Sequence, residues 1–225
     1  MISDKSVLAI IPARGNSKRV KNKNISIVNG KPLIYWTYKE AKKSKYLDKI
    51  ILTTDSLNIK KIAENFGLHA PFLRPKNIAL DKSSSIEVIQ HAVLRLNFTG
   101  IVVLLQPTSP LRIVEDIDKS IELFHFSDCH SVITMCKSSF GEKLSYPLDE
   151  NNYIVNVNKV KNSEDNVYKI NGAVYVTYLN NILKCNSFVT NNTKAFIMPN
   201  DRSLDIDTYE DLEKCSIYMK KLKNV

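Results

Sequence analysis

The sequence offers no cysteine pairing: Cys129, Cys136, Cys185 and Cys215 form no C-x-x-C pair and keep no regular spacing with the four histidines. Neither a disulfide framework nor a zinc site is expected, and the thiols suit a reduced, cytosolic protein. Long apolar runs are missing as well. The N-terminal stretch Val7–Ile11 falls far short of the ~20 residues of a membrane span, and "ARG" follows where a signal peptide would need its cleavage region. Neither export nor anchoring is expected. There is no internal repeat and no low-complexity tract, and both glycine-rich phosphate templates, G-x-x-x-x-G-K-[ST] and G-x-G-x-x-G, are absent. A P-loop and an ordinary dinucleotide site are thereby disfavoured. A basic surface interleaved with aromatics is lacking too, which weakens a nucleic-acid-binding reading.

What is present is an ordinary soluble composition, 44% hydrophobic and 24% charged, over 225 residues. That length suits one α/β domain spanning 1–225, with room for a small inserted subdomain. The formal net charge is +9, from 32 basic and 23 acidic residues. Such an excess fits nucleic acid, an acidic surface or a polyanionic small substrate alike. Part of it lies in Lys220, Lys221 and Lys223, read as a solvated helix end. More lies in "IIPARGNSKRVKNKN", residues 10–24, which carries Arg14, Lys18, Arg19, Lys21 and Lys23 around the single Gly15.

Short β-branched runs alternate with helical patterns. "SVLAII", "KIILTT", "GIVVLLQ" and "SVITM" read as strands; "KPLIYWTYKEAKKS", "LNIKKIAENFG", "SSSIEVIQHAVLRL" and "VEDIDKSIELFHF" read as helices. Ser84 and Glu87 have capping-box spacing, and the continuous apolar run "GIVVLLQ" predicts a strand buried on both faces. The pattern is that of a three-layer α/β/α domain with a mainly parallel sheet. From about Phe140 to Val167 the texture changes to short alternating segments such as "NYIVNV", so about 140–170 is the expected subdomain. "INGAVYVTYL" and "KAFIMP" return to strand character, and "TYEDLEKCSIYMKKL" predicts an amphipathic closing helix.

In an open α/β sheet the ligand sits beyond the carboxyl ends of the strands. The basic loop follows the first strand. Its cations, with Gly15 permitting close backbone approach and Asn16 and Ser17 offering polar contacts, suit a polyphosphate, or else form a solvated turn. In "SLDIDTYEDL", Asp205 and Asp207 project to one side of an extended segment while Ile206 faces the core. Two convergent carboxylates suit Mg²⁺; the competing role for Asp207 is to cap the following helix, with Glu210 and Asp211 complementing its dipole. "LLQPTSPLR" makes a stiff polar loop in which Thr108 and Ser109 could meet a nucleotide or serve the turn. Arg74, Ser83 and Ser85 in "LRPKNIALDKSSS" could read a base or sugar.

Taken in order, "IPARGNSKRVKNKN", "RPKNIALDKSSS", "LLQPTSPLR", "NGAVYV" and "LDIDTYEDL" resemble the acylneuraminate cytidylyltransferase family, the CMP-sialic acid synthetases, over nearly the whole chain. The resemblance implies a Rossmann-like nucleotidyltransferase fold with a small dimerisation subdomain, and a cytoplasmic homodimer. It implies transfer of CMP from CTP to a nonulosonic acid such as N-acetylneuraminic, legionaminic or pseudaminic acid, with pyrophosphate released. By motif position, Arg14, Gly15, Asn16, Ser17, Lys18, Lys23 and Asn24 belong to the CTP site, with Arg14, Lys18 and Lys23 catalytic. Arg74, Ser83 and Ser85 sit beside cytosine and ribose. Gln106, Ser109, Arg112, Lys169 and Asn171 face the sugar, and Asp205 and Asp207 hold Mg²⁺. The chain departs from the family in carrying Lys21 where proline is usual. It also has Lys159, Lys161 and Lys169 where arginines are frequent before "NGA", and lysine lacks the bidentate fork for a carboxylate. The nearest alternative is a cytidylyltransferase for the eight-carbon acid KDO. Another is a nucleotide sensor that binds CTP without turnover.

Overall fold

The computed structural model describes residues 5–138, 144–155 and 167–223. The strands are β1 (Val7–Pro12), the short β2 (Ile27–Val28) and β3 (Lys31–Pro32), β4 (Lys49–Thr53), β5 (Ile101–Leu104), β6 (Ser131–Lys137), β7 (Ser145–Pro147), β8 (Val167–Tyr178) and β9 (Thr193–Ile197). The helices are α1 (Leu33–Ala41), α2 (Leu57–Glu64), α3 (Ser85–Leu96), α4 (Val114–His125), α5 (Leu179–Cys185) and α6 (Tyr209–Lys223). The main sheet runs β4-β1-β5-β8-β6-β9, with β7 added to the first part of β8. β1 is parallel to β4 and β5, and β6 to β9, whereas β5, β6 and β7 are each antiparallel to β8. Six strands therefore point one way and β8 alone is reversed, so the sheet is mainly parallel, as its alternation of strands and helices predicts.

The central strands carry side chains to two dry faces. On β5, Ile101 and Val103 join one core with Ile34, Ala63, Ile117 and Ile121 of α1, α2 and α4. Val102 and Leu104 join the other, with Ile86, Ile89 and Ala92 of α3 and Ile182 of α5. This is the period-2 alternation of a strand covered on both sides, and it accounts for a continuous apolar run with no polar position. α3 begins where expected: Ser84 Oγ accepts from Glu87 N at 3.1 Å while Glu87 returns the bond to Ser84 N at 2.7 Å.

α1 leads from β1 to β4 on one side of β1, and α3 leads to β5 on the other. The sheet's strand order thus reverses between β1 and β5, which opens a crevice at their carboxyl ends. A third, smaller core beside that crevice packs Cys215 and Met219 of α6 against Trp36, Leu111 and Ile206. Of the subdomain expected at about 140–170, residues 144–155 and 167–170 are described. They form β7, its pairing with β8, and a bridge between Leu148 and Ile154; the rest lies outside the described residues, as do Lys159 and Lys161. The four cysteines are free thiols, and burial raises Cys129 to about 11 and Cys215 to about 12. Among the described residues no helix is long and apolar enough to cross a membrane.

Candidate active site

The basic loop leaves β1 and is tied down from below. Ala13 N donates to Thr53 O at 3.0 Å and Gly15 N to Asp55 Oδ1 at 2.8 Å, both partners standing at the end of β4. A Cβ on Gly15 would lie 3.0 Å from Ser56 Cβ, so the loop's one glycine is what lets it lie this close to β4. Further along, Asn22 takes a left-handed φ of 56° and the chain enters a 3₁₀ turn over Lys23–Ile25. There the buried Asn24 donates from Nδ2 to Arg14 O at 3.1 Å and closes the loop on itself.

The distant segment that carries the aspartates meets this loop through Ile206 and Asp207. Lys23 Nζ donates to Ile206 O at 2.6 Å and to Asp207 Oδ1 at 3.2 Å, and Arg19 Nη1 reaches Asp207 Oδ2 at 2.9 Å. Ile206 is fully buried in the third core and its N–H donates to Thr108 O at 2.8 Å, which fixes the 205–207 segment against the loop after β5. Asp207 does not cap α6. Thr208 does: its Oγ1 accepts from Asp211 N at 3.2 Å, and Asp211 Oδ2 accepts from the N–H groups of Asp207 and Thr208 at 3.0 and 2.9 Å. Asp211 is partly desolvated, yet these donors bring its pKa below the ordinary value.

Asp205 behaves in the opposite way. Desolvation raises its pKa, and the neighbouring Asp207 and Asp211 add to the rise against a hydrogen bond from Thr108 and the charge of Lys23. Asp205 is nonetheless an exposed residue, so solvent screens this shift, and what it offers a cation is an accessible carboxylate near Asp207. Among the described residues no group of three or more His, Cys, Asp or Glu converges as a self-sufficient metal cage. Two carboxylates are nevertheless the customary protein share of a Mg²⁺ whose other ligands are phosphate oxygens and water.

Beside the loop opens a cleft of about 320 Å³, which Lys23 and Thr108 line but Asp205 and Asp207 do not. It is floored by Pro12 and Arg14 after β1 and by Gln106, Pro107 and Thr108 after β5, and walled by Arg74 and by Ser83 and Ser85 at the start of α3. An adjoining hollow of about 300 Å³ is lined by Gly15, Asn16, Lys18 and Lys21, and the two share Ser17, Ala79, Leu80 and Asp81. Arg74 is 5% exposed and its Nε has no hydrogen-bond partner. Burial lowers its pKa, Arg14 adds to that effect and Asp55 opposes it. None of the four histidines lines the cleft; His91, for one, packs edge-on against Phe72 with its pKa lowered by burial and by Arg95 and Arg74.

A family model described as cytidylyltransferase matches residues 8–211. The chain belongs to the cytidylyltransferase family. It is 34% identical over 224 residues to the N-acylneuraminate cytidylyltransferase of Escherichia coli, covering 97% of this chain and 53% of that protein, so it spans about half the length of that relative. It is 32% identical to the CMP-N,N'-diacetyllegionaminic acid synthase of Legionella pneumophila, covering 90% of this chain and 91% of that one. Among solved structures, a CMP:2-keto-3-deoxy-manno-octonic acid synthetase complexed with CTP superposes with a TM-score of 0.77 at 16% identity, over 96% of this chain and 99% of that one; this likeness speaks to the fold.

In this member of the family, part of the expected sugar-facing set lies behind the cleft rather than in it. Gln106 lines it, but Ser109 is fully buried and donates from Oγ to Asn171 O at 3.0 Å. Asn171 is 3% exposed, donates to Ser203 Oγ at 2.9 Å and accepts from Ala173 N at 3.1 Å. Arg112, 2% exposed, turns inward onto the carbonyls of Gln106 and Ser109. Lys169 sits on β8 opposite Cys136 and Ser145. Two residues of the site were not singled out from the sequence, Asp55 and Asp81, because an isolated aspartate after a strand or in a polar turn carries no distinctive spacing.

Gly172 shows how tightly the back wall is built. Its φ is +76°, and a Cβ there would lie 2.7 Å from Gln106 Oε1 and 3.2 Å from Ser109 Oγ. Gly172→Ala should therefore lose about 1–3 kcal/mol of stability through the left-handed backbone alone. By displacing Gln106 it should also slow turnover by up to about 10²-fold. Urea unfolding alongside a pyrophosphate-release assay measures both; unchanged turnover would remove Gln106 from the site.

Proposed function

We propose that this chain transfers CMP from CTP to the anomeric hydroxyl of a nine-carbon 2-keto acid sugar, a nonulosonic acid, and releases pyrophosphate. The observation that carries the reading is the contact between the basic loop, which lines the cleft, and the distant aspartate segment, through Lys23 Nζ on Ile206 O and Asp207 Oδ1. Cytosine and ribose would lie against Arg74, Ser83 and Ser85, and the triphosphate along Arg14, Asn16, Ser17, Lys18 and Lys23, the sugar being presented across Gln106 with Lys169 as the cation for its carboxylate. Ser109, Arg112 and Asn171 would act from behind by fixing the loop and strand that carry Gln106.

Little covalent chemistry falls to the protein. The sugar oxygen bonds to the α-phosphorus, the bond to the bridging oxygen breaks, pyrophosphate departs and the hydroxyl proton is given up to water. Arg14, Lys18 and Lys23 orient the phosphates and stabilise charge that grows on the leaving group. Asp205 and Asp207 would hold Mg²⁺, which when bound supplies Lewis-acid polarisation of phosphate oxygens. A cytoplasmic homodimer belongs to the same reading.

The test is pyrophosphate release by purified protein with CTP and a panel of eight- and nine-carbon 2-keto acids. Release is expected with a nine-carbon acid and CTP, and not with ATP or GTP. Release with the eight-carbon acid alone would move the substrate to KDO. Release with none of the acids, despite CTP binding, would leave a nucleotide sensor.

A further inference from the structure

Asp81 stands at the border between the cleft and the adjoining hollow and lines both. Each of its carboxylate oxygens is engaged: Oδ1 with Arg14 Nη2 at 2.6 Å and Oδ2 with Lys18 Nζ at 2.6 Å. One carboxylate thus occupies two of the cations that the proposed reaction assigns to phosphate oxygens. To a guanidinium and an ammonium, a carboxylate and a pair of phosphate oxygens present the same charge-assisted acceptors.

The partners are arranged so that the exchange is feasible. The Arg14 and Asp81 side chains are 33% and 39% exposed and Lys18 is 82% exposed, so these are solvent-screened pairs of the weak, exchangeable kind. The backbones beneath them are fixed. Leu80 N donates to Ser83 Oγ at 3.1 Å and Ser83 N to Leu80 O at 3.1 Å, closing the turn that bears Asp81, while Gly15 N on Asp55 holds the turn that bears Arg14. Only side chains need move. Lys18 and Arg14 also keep the Asp81 carboxyl below its usual pKa, so it stays ionised and competent to compete.

We propose that Asp81 is an electrostatic placeholder, holding Arg14 and Lys18 in position while the cleft is free of nucleotide, yielding them to phosphate oxygens, and reclaiming them as pyrophosphate leaves. The inference rests on the cytidylyltransferase reading above. It makes Asp81 a positioning residue whose loss strengthens anion binding, whereas a merely structural lesion of the turn would weaken it. Without the competitor, inorganic pyrophosphate should bind tighter and leave more slowly, so KM for CTP and kcat should fall together.

The experiment compares Asp81→Asn, Asp81→Glu and Glu210→Gln, the last an exposed carboxylate on the first turn of α6 that touches neither Arg14 nor Lys18. Inorganic pyrophosphate is titrated into each full-length protein by calorimetry. Asp81→Asn should bind it about tenfold tighter, Asp81→Glu within about twofold of the parent, and Glu210→Gln likewise, although it changes net charge as much as Asp81→Asn does. Equal or weaker binding by Asp81→Asn, or the same gain in Glu210→Gln, would overturn the placeholder. A parent protein that transfers CMP while Asp81→Asn shows no gain overturns this inference alone. A parent that releases no pyrophosphate from CTP overturns the function, and the calorimetric comparison still decides whether Asp81 competes with an anion.

Discussion

Asp207→Asn should lower turnover about 10²–10³-fold, because it would weaken the hold on the Mg²⁺ that offsets charge on the phosphate oxygens, while leaving the folded structure in place. The stability side follows from the partners of Asp207. Its pair with Arg19 joins side chains 44% and 68% exposed, and such pairs contribute about 0–1 kcal/mol. Lys23 keeps the Ile206 carbonyl at 2.6 Å, and the start of α6 is capped by Thr208 and Asp211 without help from Asp207. For a chain of this size the thermal midpoint should move by no more than about 4 °C. Turnover of the variant at the parental rate and the parental Mg²⁺ concentration would refute the metal assignment.

The companion Asp205→Asn separates function from stability more sharply. A carboxyl whose folded pKa lies above its unfolded value of 3.8 is ionised less readily in the folded chain. Its ionisation therefore lowers stability as pH rises through the interval between those two values, and the loss is complete above the upper one. Because Asp205 is exposed and solvent screens the effect, Asp205→Asn should melt only slightly higher than the parent at neutral pH and lose that advantage as pH falls below the unfolded-state pKa. The same variant should be nearly inactive.

The parts of this molecule that were legible in the sequence are those set by local spacing. The Ser84–Glu87 capping box, the all-apolar β5 and the basic loop after β1 are each determined by residues within one element, and the crevice follows from where strands must end. The reversal of β8 is different: "INGAVYVTYL" alternates identically read in either direction, and its orientation depends on pairing with β5 and β6. Two signals were present but unread. Asn29 and Gly30, at φ 47° and 77°, make the tight hairpin between β2 and β3. Thr208 and Asp211 have capping-box spacing, which releases Asp207 from the cap. Asp81 had no such signature, because its importance lies entirely in which cations the fold brings to it.

Arg112 is the residue whose role the fold changes most, and Arg112→Ala should cost about 1–3 kcal/mol in urea unfolding for each of the two carbonyls it leaves unpaired. By its motif position Arg112 is expected to face the sugar. Instead its Nη2 donates to Gln106 O at 2.7 Å, its Nη1 to Ser109 O at 3.0 Å, and both reach Thr37 Oγ1 at 3.3–3.4 Å. Among the described residues no carboxylate is within ion-pair distance of it. Burial lowers its pKa to about 10, with Asp116 and Glu40 opposing the shift. The guanidinium therefore acts as a fork that satisfies two buried carbonyls of the loop carrying Gln106 and Thr108, and Thr108 O in turn holds Ile206 N. Removing it leaves those carbonyls unpaired and slackens both walls of the cleft at once. Arg112→Lys keeps the charge but not the fork, and should recover only part of the stability. Kinetics complete the distinction: a loop clamp predicts that loss of stability and a raised KM for CTP accompany any change in KM for the sugar. A direct sugar contact predicts a raised sugar KM alone, at parental stability and parental KM for CTP, and that result would return Arg112 to the substrate.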